Sequence, residues 1–136
     1  MTVEYAETTD HFDFKIAGDL VSRCCFDYTF TIFLQDSHIF VVIEDEFSLS
    51  IGDTSRLLKP PKSMAPALEV LHKPLLYLRA YKTSGRLALA LEPDVALTVD
   101  PSPHYEAWHI TGEKEGPLLV CMPRGKLAIW LPKEPA

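Results

Sequence analysis

Between residues 25 and 51 apolar side chains return at every second position, a period that suits a strand with one buried face. Phe26, Tyr28, Phe30, Ile32 and Leu34 share one parity, and past Asp36-Ser37 the residues Ile39, Val41, Ile43, Phe47, Leu49 and Ile51 continue it. A tight turn at Asp36-Ser37 predicts a hairpin that pairs Leu34 with Ile39, Ile32 with Val41, Phe30 with Ile43 and Phe26 with Phe47. A four-residue loop would keep the same parity. All these pairs are apolar, so a slip of one residue would turn the whole set outward, and the register is well specified.

Charge interrupts this hairpin at one end. Tyr28 is expected opposite Asp45 on the buried face, a phenol hydrogen-bonding a half-buried carboxylate. On the outer face Asp27 is expected opposite Glu46, with Glu44 two residues along. Like charges set opposite each other cost stability, so such a face suits either a cationic partner or strands that splay at an edge.

The rest of the chain also reads mainly as strands. Residues 52–74 hold the one helical signal. Asp53-Thr54-Ser55 is a turn, Lys59-Pro60-Pro61-Lys62 is extended, Ser63 is the expected N-cap, and Ala67, Leu68 and Leu71 form an apolar stripe. One short helix is predicted near 63–73. From residue 75 onward Leu76, Leu78 and Ala80 alternate with Tyr77, Arg79 and Tyr81. A two-residue turn at Ser84-Gly85 would then set Ala80 against Leu89, Leu78 against Leu91, Tyr81 against Ala88 and Arg79 against Ala90. Residues 85–130 continue as a series of short strands that holds both tryptophans, Trp108 and Trp130. The expectation is a mainly β (α+β) fold, an antiparallel meander curled into a sandwich or open barrel with one helix.

At 136 residues the chain fits a single domain, 1–136, with residues 1–12 as a frayed start. Such a length buries roughly 68% of the unfolded surface. No apolar run approaches the roughly 18 residues of a membrane helix, and the first residues lack a signal-peptide pattern, which suggests a cytoplasmic protein. Cys24, Cys25 and Cys121 are odd in number, and neighbouring cysteines bridge only with strain, so reduced thiols are expected. The net charge of −6 argues against nucleic acid and against anionic membranes, since either would call for a basic surface.

The search for reacting groups returns little. His11, His38, His72, His104 and His109 show no metal-ligand spacing with each other or with the cysteines, and no glycine-rich phosphate loop is present. Neither a metal nor a cofactor is expected. Glu106, read on the same strand face as Trp108, is a candidate acid in an apolar setting; a salt bridge to Arg79, Arg86 or Arg124 is the plainer reading. Surface composition says more. Tyr77, Arg79 and Tyr81 project together above the small Ala88 and Ala90, while Trp130 shares a face with Lys126 and Ala128. Tyr, Trp and Arg dominate binding hot spots, so these positions are either a docking ridge or a second core under the helix.

A resemblance enters through Gly85-Arg86-Leu87, Leu97-Thr98-Val99, Tyr105-Glu106-Ala107-Trp108, Val120-Cys121-Met122-Pro123 and Gly125-Lys126-Leu127-Ala128-Ile129-Trp130. Over roughly its C-terminal half the chain resembles a family of small, uncharacterised bacterial proteins. It departs at Pro93-Asp94-Val95 and Arg124-Gly125, both in turns. Small acidic members of that family resemble immunity proteins in type, which implies a protein partner and no inherited catalytic residues.

Two functions follow as expectations. The first is a non-enzymatic cytosolic binding domain, such as an immunity or antitoxin-like inhibitor. It would dock a basic toxin, or a second copy, through Asp27, Glu44 and Glu46 or through Tyr77, Arg79, Tyr81 and Trp130. The second is a small-ligand-binding barrel or enzyme with Glu106 or Asp45 as the polar group of an internal cavity.

Overall fold

The computed structural model describes residues 3–132. The alternating segments become strands β1 (Tyr5–Glu7), β2 (His11–Phe14), β3 (Val21–Phe26), β4 (Phe30–Leu34), β5 (Ile39–Ile43), β6 (Phe47–Ile51) and β7 (Thr54–Leu58). They continue as β8 (Leu75–Tyr81), β9 (Leu87–Leu91), β10 (Val95–Val99), β11 (Trp108–Gly112), β12 (Gly116–Cys121) and β13 (Leu127–Ile129). Every pairing is antiparallel. The seven-stranded sheet runs β1-β2-β8-β9-β10-β6-β7 and the six-stranded sheet β13-β12-β11-β5-β4-β3. The chain is thus mainly β, and its two sheets form a sandwich.

One apolar cluster fills the space between the sheets. Phe12, Leu49, Leu78, Leu89 and Leu97 enter from the seven-stranded sheet, and Phe30, Ile32, Leu34, Val41, Ile43 and Ile110 from the other. The chain crosses between sheets at residues 15–20, 44–46 and 100–107, so each sheet is assembled from separate stretches of sequence.

The predicted hairpin holds where its register was best specified: Leu34 pairs with Ile39, Ile32 with Val41 and Phe30 with Ile43. It fails beyond Phe30. The chain reverses at residues 27–29, Phe26 pairs with Phe30, and Phe47 opens β6 in the other sheet. The cause is local. The Asp27 carboxylate accepts the Thr29 N–H at 2.9 Å and the Thr29 hydroxyl at 3.2 Å, closing an Asx turn. Tyr28 therefore points outward, 87% exposed, and does not face Asp45, nor does Asp27 face Glu46.

Further along, parity is kept and register moves. Leu78 pairs with Leu89, Ala80 with Leu87, Arg79 with Ala88 and Tyr77 with Ala90, because the connection spans four residues, with the Tyr81 N–H on the Arg86 carbonyl at 2.8 Å. A bulge between Leu75 and Tyr77 turns Leu76 out of the core. The segment Asp53-Thr54-Ser55, expected as a turn, places its last two residues in β7. The expected helix is a 3-10 helix, Ala65–Val70. Ser63 is not its cap: it sits at φ 58, and Met64 takes the cap position without a side-chain bond. Met64, Ala67 and Val70 are buried at spacing three, the period of a 3-10 helix, while Leu68 is half exposed. Of the start expected to fray, residues 5–7 and 11–12 lie in β1 and β2, which pair with each other; Met1 and Thr2 lie outside the described residues.

Two buried polar devices tie the layers together. The Trp108 indole N–H donates to the Gly85 carbonyl at 2.9 Å, and the Cys121 thiol donates to the same oxygen at 3.4 Å. Trp108 and Cys121 belong to the six-stranded sheet and Gly85 to the β8–β9 loop of the other. Gly85 (φ 74) lies against Gly125; a Cβ on Gly85 would sit 2.5 Å from the Gly125 Cα. The second device is Asp19, 5% exposed in the β2–β3 linker. Its carboxylate accepts the N–H groups of Leu20 at 2.8 Å, Asp36 at 2.8 Å and Ser37 at 3.0 Å. The turn that closes the β4–β5 hairpin is held by a residue from another part of the chain.

The three cysteines are free: Cys25 exposed, Cys24 half-buried, Cys121 buried. Burial pushes the Cys121 thiol up to about 11 and raises Cys24 as well. Near pH 8 a thiol reagent is therefore expected to label Cys25 first and Cys24 slowly. Cys121 is expected to react only after denaturant is added, and mass spectrometry of the labelled peptides checks the order.

Candidate functional site

The site begins with a row of paired residues across the end of the six-stranded sheet. Phe26 pairs with Phe30, Phe30 with Ile43 and Ile43 with Trp108. Whatever follows or precedes these residues in the chain must emerge at the same end. That rule collects the Asp27-Tyr28 turn, the crossover Glu44-Asp45-Glu46 and the segment Tyr105-Glu106. The Glu44 N–H donates to the Ala107 carbonyl at 2.8 Å, fixing the crossover beside that segment. The Tyr105 hydroxyl donates to Asp45 Oδ1 at 3.1 Å.

Asp27, Glu44 and Glu46 are therefore brought to one end of the sandwich, although not by the pairing expected. Asp45 and Glu106, the candidate polar groups of an internal cavity, lie at this same end. Glu106 is exposed and precedes β11, so it does not share a strand face with the buried Trp108. Arg79 and Arg86, expected as its partners, pair with Asp13 and Asp100 instead. Exposed aromatics accompany the carboxylates: Tyr28, Tyr105 at 46% and Phe26 at 38%. Glu44, Tyr105, Glu106, Met122 and Pro123 line an open hollow of about 520 Å³.

The electrostatics are plain. The Thr29 N–H and then its hydroxyl hold Asp27 below the usual carboxylate range, so it stays ionised. His109 Nδ1 lies 3.4 Å from Glu44 Oε2, and Arg124 follows Pro123 as an exposed cation at this end. Glu46 and Glu106 form no ion pair among the described residues. Within the described residues no cluster of three or more His, Cys, Asp or Glu side chains could hold a metal. Water-exposed carboxylates beside exposed rings suit the recognition of cations more than proton transfer in a dry pocket.

The other predicted residues stand elsewhere. Tyr77, Arg79 and Tyr81 lie half-buried on the outer face of the seven-stranded sheet. Arg79 stacks 4.3 Å over the Tyr77 ring and its Nε lies 3.4 Å from Asp13, while Tyr81 packs against His11 with ring centres 5.4 Å apart. A hollow of about 450 Å³ runs beside them, lined by Tyr77, Tyr81, Arg86, Ala88, Thr98 and Asp100 among others. The 3-10 helix packs next to β3 and sends Ala67 and Val70 into the main core, so it does not make this face a second core. Trp130, 56% exposed, follows β13 on the other sheet and does not join the trio. Tyr105, Met122 and Pro123 were missed; the prolines at 101, 103 and 123 were the signal that these segments are loops meeting at one end.

The model of one protein family, a family of unknown function, matches residues 12–131. No curated protein and no solved structure matches the chain.

Proposed function

We propose a binding role for this chain, which belongs to the family of unknown function DUF6188: it is a non-enzymatic domain that captures a basic protein on its acidic end. The observation that carries this reading is the gathering of Asp27, Glu44, Asp45, Glu46 and Glu106 around exposed Tyr28 and Tyr105. Carboxylates steer a cationic partner and speed its approach, while exposed rings supply contact area once it arrives. An immunity or antitoxin-like inhibitor of a basic toxin in the cytoplasm is the most specific form of this proposal. A ligand-binding reading would use the hollow beside Glu106, on the surface instead of inside the sandwich.

The test is capture of a partner by the immobilised chain. With Glu46→Lys and Glu106→Lys together, both exposed, capture at low salt is expected to fall by about tenfold or more, the usual scale of electrostatic steering. Tyr28→Ala should weaken it further, and circular dichroism should show an unchanged fold. Capture that is indifferent to the charge reversal and to salt would remove the acidic end from the proposal. No helix among the described residues is long and apolar enough to cross a membrane.

A further inference from the structure

The sandwich has four sheet edges, and they are not alike. β1 and β13 are only three residues long, and the Tyr5 hydroxyl of β1 donates to the Pro132 carbonyl. β3 carries a bulge between Val21 and Arg23, and its first residue is already paired: Val21 N–H bonds the Lys73 carbonyl at 3.1 Å, and His72 N–H bonds the Val21 carbonyl at 2.7 Å. Short, bulged and covered edges are the usual protections against a stray strand. β7 has none of these. It is five residues long, pairs among the described residues with β6 alone and in an unbroken register, and is exposed from Thr54 to Leu57.

Its backbone geometry can be counted from the two-residue turn. Ile51 and Thr54 flank that turn and form a hydrogen-bonded pair, as then do Leu49 with Arg56 and Phe47 with Leu58. The backbone N–H and C=O groups of Ser55 and Leu57 are left pointing away from the sheet. Charge is the second observation. Residues 54–64 hold Arg56, Lys59 and Lys62 and no acid, in a protein of net charge −6. Lys73, Arg79, Lys82 and Arg86 are each matched by a carboxylate. Arg56, Lys59 and Lys62 form no ion pair among the described residues; the flanking acids along the chain are Asp53 at the turn and Glu69, which pairs with Lys73, while Glu46 comes near only through the Phe47–Leu58 pair.

We propose that β7 accepts an extended acidic segment of a partner protein as an eighth strand of the seven-stranded sheet. Main-chain bonds to Ser55 and Leu57 align it, the exposed Leu57 gives it an apolar contact on one face, Arg56 selects acidic side chains on the other, and Lys59 adds its charge just past the end of the strand. The same cations disfavour a second copy, because pairing β7 with itself would bring arginine towards arginine. The strand runs away from the acidic end and meets it only where Lys59 follows Leu58, the partner of Phe47; its occupant has the opposite charge.

The probe is a fluorescein-labelled peptide of about eight residues alternating valine and glutamate, with a valine-lysine peptide and an alternately N-methylated valine-glutamate peptide as controls. The glutamate peptide is expected to bind at least about tenfold tighter than either control, by fluorescence anisotropy. It should slow amide hydrogen exchange at Ser55 and Leu57 by a similar factor. Arg56→Glu with Lys59→Glu, both exposed, should reverse the preference between the two charged peptides. Three results would overturn the proposal: equal binding of the N-methylated peptide, binding without slower exchange in β7, or a dimer of the unliganded chain by light scattering that Arg56→Glu abolishes. Glu46→Lys with Glu106→Lys should leave peptide binding within about twofold or strengthen it, so failure here and failure of the acidic end remain distinguishable.

Discussion

Replacing Trp108 by Ala is expected to cost about 3–5 kcal/mol, enough to leave a domain of this size marginal. The side chain is fully buried between the two sheets, so its removal opens a cavity the neighbours can only partly refill. It also takes away the indole N–H and leaves the Gly85 carbonyl with the Cys121 thiol, a weak donor, as its side-chain partner. Trp108→Phe separates the two contributions: it keeps most of the volume and should cost about 1–3 kcal/mol. Gly85→Ala attacks the same junction from the other sheet. A left-handed φ of 74 disfavours any side chain by about 1–2 kcal/mol, and its Cβ would meet Gly125 backbone, so the loops must separate. Thermal melts followed by circular dichroism should place Trp108→Ala about 10–20 °C below the native chain. A shift of only a degree or two would mean that this junction does not hold the sheets together.

The second large effect belongs to Asp19. Asp19→Ala takes the shared acceptor from the part-buried N–H groups of Leu20, Asp36 and Ser37, and a cost of about 2–3 kcal/mol is expected. Asp19→Asn keeps one carbonyl acceptor and should recover about half of that loss. Hydrogen exchange gives the discriminating readout, because the amides of Asp36 and Ser37 should lose protection before the rest of β4 and β5. If they exchange as slowly in Asp19→Ala as in the native chain, another group holds the turn.

Both devices show where reading the chain alone stops. Period-two alternation identified the mainly β class, and the Leu34–Ile39 to Phe30–Ile43 register came from pairs in which every alternative buries a polar residue. Alternation, however, carries no information about which sheet a strand joins. Phe47 shares parity with the hairpin and opens a strand of the other sheet, while Phe26 stays in the same sheet but pairs with Phe30, because Asp27 and Thr29 build a turn that apolar periodicity does not register. The β8–β9 pairing slid by two residues for a related reason: Ser84-Gly85 was legible as a turn, but not that the connection takes four residues. For the helix, Ala67, Leu68 and Leu71 suggested an α-helical stripe, whereas the buried set has spacing three. The acidic end was half legible. Alternation sets Asp27, Glu44 and Glu46 as like charges across one hairpin; they meet instead because the β3–β4 turn and the crossover to β6 leave the six-stranded sheet at the same end. Tyr105-Glu106-Ala107-Trp108 divides at that end, its first two residues facing water and its last two entering the core.

The threading of the two layers has a kinetic side. Because the chain changes sheets at residues 15–20, 44–46 and 100–107, neither layer is a contiguous piece that can close first and wait. The six-stranded sheet needs Ile43 beside Trp108, and the seven-stranded sheet needs Leu49 beside Leu97 and Phe12 beside Ala80. Contacts so distant along the chain must close large loops before they return any stability, which places such a topology among slow folders, on the scale of milliseconds to seconds. During synthesis the early strands therefore emerge with open edges and no completed layer, and the last third of the chain closes both sheets together.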